Sequence, residues 1–259
     1  MIDNTQGKFM NILITGVTSG FGLALAKTLH KDGHTIIGTG RRMERLTDLK
    51  QELGDGFIPL CFDITKTEEL NRALASIDNQ ILTNIDVLIN NAGLALGLES
   101  ADKANFDDWQ AMINTNVLGL VAMTHAVLPY MVAKNSGYVI NISSTAGGYP
   151  YFGANVYGAS KAFVSQFGLN LRADLIGKNV RVTNIEPGLC GETEFSNVRF
   201  KGDDEKAYKV YESVNYIRPI DIADMVRYLI NLPPRININR MEIMPVAQTF
   251  AGLTVVKGL

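Results

Sequence analysis

The chain has 259 residues, 46% of them hydrophobic and 19% charged, with a formal net charge of -2. That length suffices for a large core in a single α/β domain. The near-neutral balance gives no general electrostatic case for nucleic acid or an anionic membrane surface, and leaves a small molecule as the default partner. Cys61 and Cys190 fit no metal or redox spacing and imply no disulfide framework, as expected in a reducing cytoplasm. The opening MIDNTQGKFM has no apolar signal core, and nowhere do eighteen apolar residues run together, so neither a signal peptide nor a membrane span is expected.

Residues 1 to 9 read as a loose polar extension ahead of a domain over 10–259. From there, short apolar runs alternate with longer amphipathic stretches. Strands are predicted at 11–15, 35–39, 57–63, 85–90, 137–143, 180–186 and 239–244, and helices at 21–32, 42–53, 67–82, 106–133, 155–178 and 219–231. The Val/Ile/Leu-rich strands lack clean alternation, so helices should cover both faces of a parallel sheet. The expected fold is a doubly wound, Rossmann-like α/β domain with seven parallel strands. Residues 189–216 form a longer, charged connection, read as a mobile lid containing a short helix.

The first strand runs into TGVTSGFG, and a helical pattern follows at once. Gly16, Gly20 and Gly22 permit a tight turn, and the helix N-terminus offers free amides to phosphates, with Thr18, Ser19 and Phe21 alongside. The spacing is GxxxGxG rather than GxGxxG, and glycines can also serve a turn alone. The second strand ends GTGRR, with no acid from Thr35 through Met43. An acid there would hold a ribose 2′-hydroxyl, whereas Arg41 and Arg42 suit a 2′-phosphate, which favours NADP over NAD. The same arginines would also serve as a solvated edge of the sheet.

YGASK sets Tyr157 and Lys161 one helical turn apart, on one face. A free tyrosine titrates near 10 and is a poor base at neutral pH. An ammonium and an oxidised nicotinamide nearby would favour the phenolate, and reaching about 7 takes roughly 4 kcal/mol. By itself the motif is weak, but Ser143 and Ser144 end one strand and NNAG (90–93) ends another at the same sheet edge, where doubly wound folds bind ligands. Strand alternation lets only one of the two serines face a substrate. His30, His34 and His125 are scattered, and no metal site is expected.

Glycine turn, NNAG, the asparagine of NTNVLG, the serine, YxxxK and PG together resemble the short-chain dehydrogenase/reductase family over residues 10–250. The resemblance implies Tyr157 as general acid and base, Lys161 as its partner and a nicotinamide-ribose ligand, Ser144 on the substrate oxygen, and Asn116 holding a relay water. It further implies Asn90, with Ala92 and Gly93, at the ribose, Asp63 and Ile64 at the adenine, and Pro187, Gly188, Leu189 and Thr193 at the carboxamide. PGLCGET carries one residue more than the commoner PGxxxT, which leaves the contact of Thr193 open.

Within the family, NVYGASKAF, IEPGL, TEFSNVRFKGDD and MPVAQTFAGL are similar to bacterial NADP-dependent 3-hydroxy acid dehydrogenases. These act on serine, allo-threonine and 3-hydroxypropionate and reduce malonic semialdehyde. Such substrates carry a carboxylate, for which Arg199 or Lys201 of the lid would serve, unless both are simply solvated. Tyr149, Tyr151 and Phe152 would instead suit a bulkier ketone or aldehyde, and Glu192 stands where a small residue is expected. A third reading is a nucleotide-sensing module without chemistry. The resemblance also implies a homotetramer packed through helices 106–133 and 155–178, with the tail FAGLTVV reaching a neighbour.

Overall fold

The computed structural model describes residues 9–250. The extension expected over residues 1–9 lies outside the described residues apart from Phe9, as does the tail FAGLTVV apart from Phe250.

Strand β1 is Asn11–Thr15, β2 Thr35–Gly40, β3 Phe57–Cys61, β4 Ile85–Asn90, β5 Gly137–Ile142, β6 Val180–Pro187 and β7 Arg240–Ile243. All neighbours pair in parallel in the order β3-β2-β1-β4-β5-β6-β7. The apolar runs follow from burial of both faces. Ile12 and Ile14 of β1, Ile36 of β2 and Val87 and Ile89 of β4 pack into one cluster, which α1 (Gly20–Lys31), α2 (Met43–Leu53) and α10 (Pro219–Asn231) cover. Leu13, Ile37 and Leu88, one residue out of phase, point into a second cluster under α3 (Thr67–Ala75) and, further on, α6 (Leu120–Ala133) and α7 (Asn155–Asp174). Full burial of each such side chain contributes about 1.5–3 kcal/mol.

Several predicted elements change at their ends. The expected helix over 67–82 breaks after Ala75, because the Asp78 carboxylate accepts from the Gln80 amide at 2.8 Å and starts a separate turn, α4 (Asn79–Leu82). The stretch 106–133 begins as α5 (Phe106–Ile113), widens into one π-helical turn at Asn114–Gly119, and continues as α6. Helix α7 stops at Asp174, four residues short, ahead of Gly177 with φ of 80°. The lid carries two short helices rather than one, α8 (Phe195–Arg199) and α9 (Asp204–Lys209). It is docked: the Gly97 amide donates to the Arg199 carbonyl at 3.0 Å, and Lys201 pairs with Asp108 at 2.8 Å.

Strand order reverses between β1 and β4, and the crevice at their carboxyl ends is where the site residues converge.

Candidate active site

The turn after β1 is kept open by backbone geometry. Gly16 and Gly20 take φ of 76° and 53°, and a Cβ on Gly22 would strike the Gly16 carbonyl oxygen, so α1 starts close against the strand end. The crevice is pinned across the sheet. Thr15 Oγ1 accepts from the amides of Asn91 at 3.0 Å and Ala92 at 2.9 Å, while Asn91 Nδ2 donates to the Thr15 carbonyl at 2.8 Å. The second asparagine of NNAG therefore shapes the glycine turn.

At one end of the crevice stand three guanidinium groups. Arg42 donates to Thr18 Oγ1 from Nη2 at 2.8 Å and to Glu194 of the lid from Nη1 at 2.8 Å. Arg45 reaches the same carboxylate at 3.2 Å, and Arg41 lies 3.9 Å from Asp63. Partial burial raises the Glu194 carboxyl, but the hydrogen bond and charge of Arg42, then Arg45, outweigh it and hold the group below the usual carboxylate range.

At the other end, Tyr157, Lys161 and Ser144 gather where β5 and α7 meet. Ser143 and Ser144 divide as strand alternation requires: Ser143 Oγ donates to the Lys161 carbonyl at 2.8 Å, bracing α7, while Ser144 lines the cavity with Tyr157 and donates to the Pro187 carbonyl at 3.3 Å. Lys161 Nζ donates to the Ile142 carbonyl at 2.9 Å. Burial pushes the Tyr157 phenol up to about 12, against the lowering influence of the nearby Ser144 hydroxyl and the charge of Arg199, whose Cζ lies 5.3 Å from the ring centroid. Burial also drives the Lys161 amine down to about 8. The expectation that Lys161 draws the phenol toward 7 is thus not met by the protein alone. Both groups lose hydration, and the neighbouring charge that pulls the phenol down comes from the lid.

A cavity of about 540 Å³ connects the two ends. It brings together Gly16, Thr18, Ser19, Gly20, Phe21, Arg41, Arg42, Asp63, Ile64, Ala92, Gly93, Ser144, Tyr157, Lys161, Pro187, Gly188, Leu189, Thr193 and Arg199. Asn90, Gly22 and Asn116 are not on its wall. Asn90 is 2% exposed and heads a ladder across three paired strands, donating to Asn141 Oδ1 at 2.9 Å, with Asn141 donating to Asn184 Oδ1 at 3.0 Å. Asn116, on the π-helical turn, spends its side chain on the Leu94 backbone, accepting from its amide at 2.9 Å and donating to its carbonyl at 2.8 Å. Lys201 faces Asp108 outside the cavity, so of the two candidate carboxylate ligands only Arg199 lines it. Tyr149 turns to Glu242 at 3.1 Å and Phe152 is 78% exposed, which leaves Tyr151 alone of the expected apolar wall. Glu192 is exposed, with φ of 55°, and does not line the cavity.

Among the cavity residues given no role from the sequence are Asn91, Glu194, Phe195 and Gln248. Each lies in a motif that carried the family resemblance, NNAG, TEFSNVRFKGDD or MPVAQTFAGL, yet none of those motifs assigned it a contact. Gln248 accepts from the Leu189 amide at 2.7 Å across 59 positions of chain, a contact no local pattern encodes.

Residues 10–204 match the family described as short chain dehydrogenase. The chain belongs to the short-chain dehydrogenase family. A probable NADP-dependent dehydrogenase of Haemophilus influenzae is 56% identical over 250 residues, which are 96% of this chain and 99% of that protein. The NADP-dependent 3-hydroxy acid dehydrogenase YdfG of Salmonella typhi is 56% identical over 246 residues, 95% of this chain and 99% of that one. Among solved structures, the closed form of serine dehydrogenase complexed with NADP+ superposes with a TM-score of 0.94 at 54% identity, covering 96% of this chain and all of that one. The crevice suits the dinucleotide this short-chain dehydrogenase requires. Its volume is within the range of cofactor pockets, its far end is cationic, and a Cβ on Gly93 would crowd Asn116 Oδ1 and Lys161 Nζ at 3.3 Å each, so the wall stays flat there.

Proposed function

We propose that this short-chain dehydrogenase uses NADP(H) to interconvert the 3-hydroxyl carbon of a small 3-hydroxy acid and the corresponding carbonyl, with serine, allo-threonine and 3-hydroxypropionate as alcohols and malonic semialdehyde as a carbonyl substrate. One observation carries it: a single cavity has guanidinium groups at its phosphate end, and Arg199 beside Tyr157 and Ser144 at the other. The identities above 50% to enzymes named for this activity support the same reading.

The backbone amides after Gly16 and the start of α1 would hold the diphosphate, and Arg41 and Arg42 the 2′-phosphate. Lys161 would hold the nicotinamide ribose, and Pro187, Gly188, Leu189 and Thr193 the carboxamide. The bound nicotinamide supplies the hydride acceptor or donor. Ser144 hydrogen-bonds the reacting oxygen and aligns it with Tyr157. In oxidation the Tyr157 phenolate takes the hydroxyl proton, and in reduction the phenol returns it to the carbonyl oxygen. Arg199 pairs with the substrate carboxylate and orients the carbon chain. The enzyme works as a cytoplasmic homotetramer in this reading, which the two free cysteines and the apolar surface left on the long helices support.

The test is a titration with NADPH and NADH, then rates over serine, allo-threonine, 3-hydroxypropionate and neutral alcohols. The expected result is tighter NADPH binding and preferred turnover of the acids. Equal affinity for the two cofactors, or faster turnover of bulky neutral ketones, would reject the reading.

A further inference from the structure

The cations of the lid are satisfied in different ways. Lys201, Lys206 and Lys209 each meet a carboxylate, Asp108, Asp203 and Glu205 respectively, within 3.0 Å. Among the described residues Arg199 has none. Its Nε donates to the Gly97 carbonyl at 3.3 Å and its Nη2 to the Tyr151 hydroxyl at 2.7 Å. Its Cζ lies between the rings of Tyr157, Tyr151 and Phe195, 5.3, 5.7 and 5.8 Å from their centroids. The fork is therefore held in place before any anion arrives, by a carbonyl, a phenol and three aromatic faces. Of its five N–H groups, two are used in these bonds, and the other three have no acceptor among the described residues.

Tyr151 has a matching vacancy. Its oxygen accepts from Arg199, and its own O–H has no acceptor among the described residues, although it lies on the cavity wall beside Tyr157. A phenol that accepts from a guanidinium and donates to the anion that guanidinium attracts adds a second, directional contact to the charge. Such charge-assisted hydrogen bonds are stronger than neutral ones.

We propose that Tyr151 and Arg199 together form a two-point receptor for the substrate carboxylate, in which the Tyr151 hydroxyl donates to one carboxylate oxygen and makes the enzyme discriminate acids from neutral alcohols. The inference rests on the 3-hydroxy acid reading and adds to it a residue that decides specificity. It also limits the pocket. The receptor sits one ring away from the proton-transferring phenol, so a short arm between carbinol carbon and carboxylate is required.

The experiment compares 3-hydroxypropionate with its methyl ester, which removes the negative charge and adds one methyl group, in the wild type, Tyr151→Phe and Arg199→Lys. The wild type should prefer the acid. Tyr151→Phe should raise KM for the acid by about tenfold, the loss of one hydrogen bond to a charged group, while kcat and the kcat/KM for the ester change by less than about twofold. Propionate, which has the carboxylate but nothing to oxidise, should lose inhibitory strength in Tyr151→Phe by a similar factor. Arg199→Lys, which keeps the charge and loses the fork, should show the same selective loss for the acid. If the wild type prefers the acid and Tyr151→Phe preserves that preference, or lowers acid and ester in parallel, the receptor is rejected while the function stands. If the wild type does not prefer the acid, the function reading falls and the receptor with it.

Discussion

Tyr157 and Lys161 stand four residues apart on α7, and burial moves their proton affinities in opposite directions, the phenol up to about 12 and the amine down to about 8. Both shifts favour the neutral forms, so the cofactor-free protein keeps the pair away from the ionised state that oxidation needs. Stability records this. Between about pH 8 and the unfolded value of 10.5 for lysine, the unfolded chain binds the extra proton, so the Lys161 contribution to stability rises with pH across that window. Above pH 10 the unfolded tyrosine loses its proton before the folded one does, so the Tyr157 contribution falls. Thermal melts of the wild type against Lys161→Met should show the wild type gaining on the variant from pH 8 to pH 10, and a constant difference would refute the burial cost assigned to the amine. In turnover, Tyr157→Phe should lower kcat by about 10²–10⁴ while NADPH binding persists, because only the transferable proton is lost. Loss of NADPH binding in that variant would instead mark the phenol as a structural part of the nucleotide site.

At the scale of elements, the site depends on contacts that cross the sheet. Asn90, Asn141 and Asn184 stand in register on β4, β5 and β6 and hand a chain of side-chain hydrogen bonds to the Ser165 carbonyl of α7, to which Asn184 Nδ2 donates at 2.8 Å. The ladder fixes the helix that carries Tyr157 against the sheet. It leaves no room on α7 at Gly168, where a Cβ would strike the Asn184 amide. Gly168→Ala should therefore cost about 1–3 kcal/mol of stability and lower kcat, since α7 must shift to admit the methyl group. Denaturant melts with steady-state rates check this, and a wild-type midpoint would show that the ladder yields without cost. The residues of the ladder lie far apart in the chain. Each reads locally as a polar break in an apolar strand; the family resemblance gave Asn90 a ribose contact, whereas no local pattern pointed to Asn91 as the brace of the glycine turn.

At the scale of the whole molecule, apolar surface is left over. Phe106 and Leu118 on the α5–α6 stretch are 65% and 56% exposed, and Phe163 on α7 is 40% exposed and stacks on Phe167 at 5.8 Å. The stretch Phe106–Ala133 has 28 residues, and its most apolar 18-residue window, with mean hydropathy 1.5, is apolar enough to pass for a membrane span, yet only 39% of that window is buried within one chain. A second copy of the chain would cover such a face. Sedimentation should find a tetramer in the wild type and smaller species in Phe163→Glu. A wild type that sediments as a monomer would reject the assembly.

The sheet, its two-faced core, the glycine turn, the arginines after β2 and the pair Tyr157 and Lys161 were legible in the linear chain, because each depends on spacing within one or two elements: apolar runs, turn glycines, and the one-turn reach of a helix. Tertiary structure alone decided that Asn90 turns into the sheet and Asn91 toward the turn, and that Lys201 pairs with Asp108 while Arg199 enters the cavity. It alone also brought Glu194 to the arginines and made burial, rather than the neighbouring amine, set the acidity of the phenol. Those outcomes depend on which side chains are left without water or a partner once distant segments meet, and hydration and partnership belong to the packed chain, whereas spacing is already present in its order of residues.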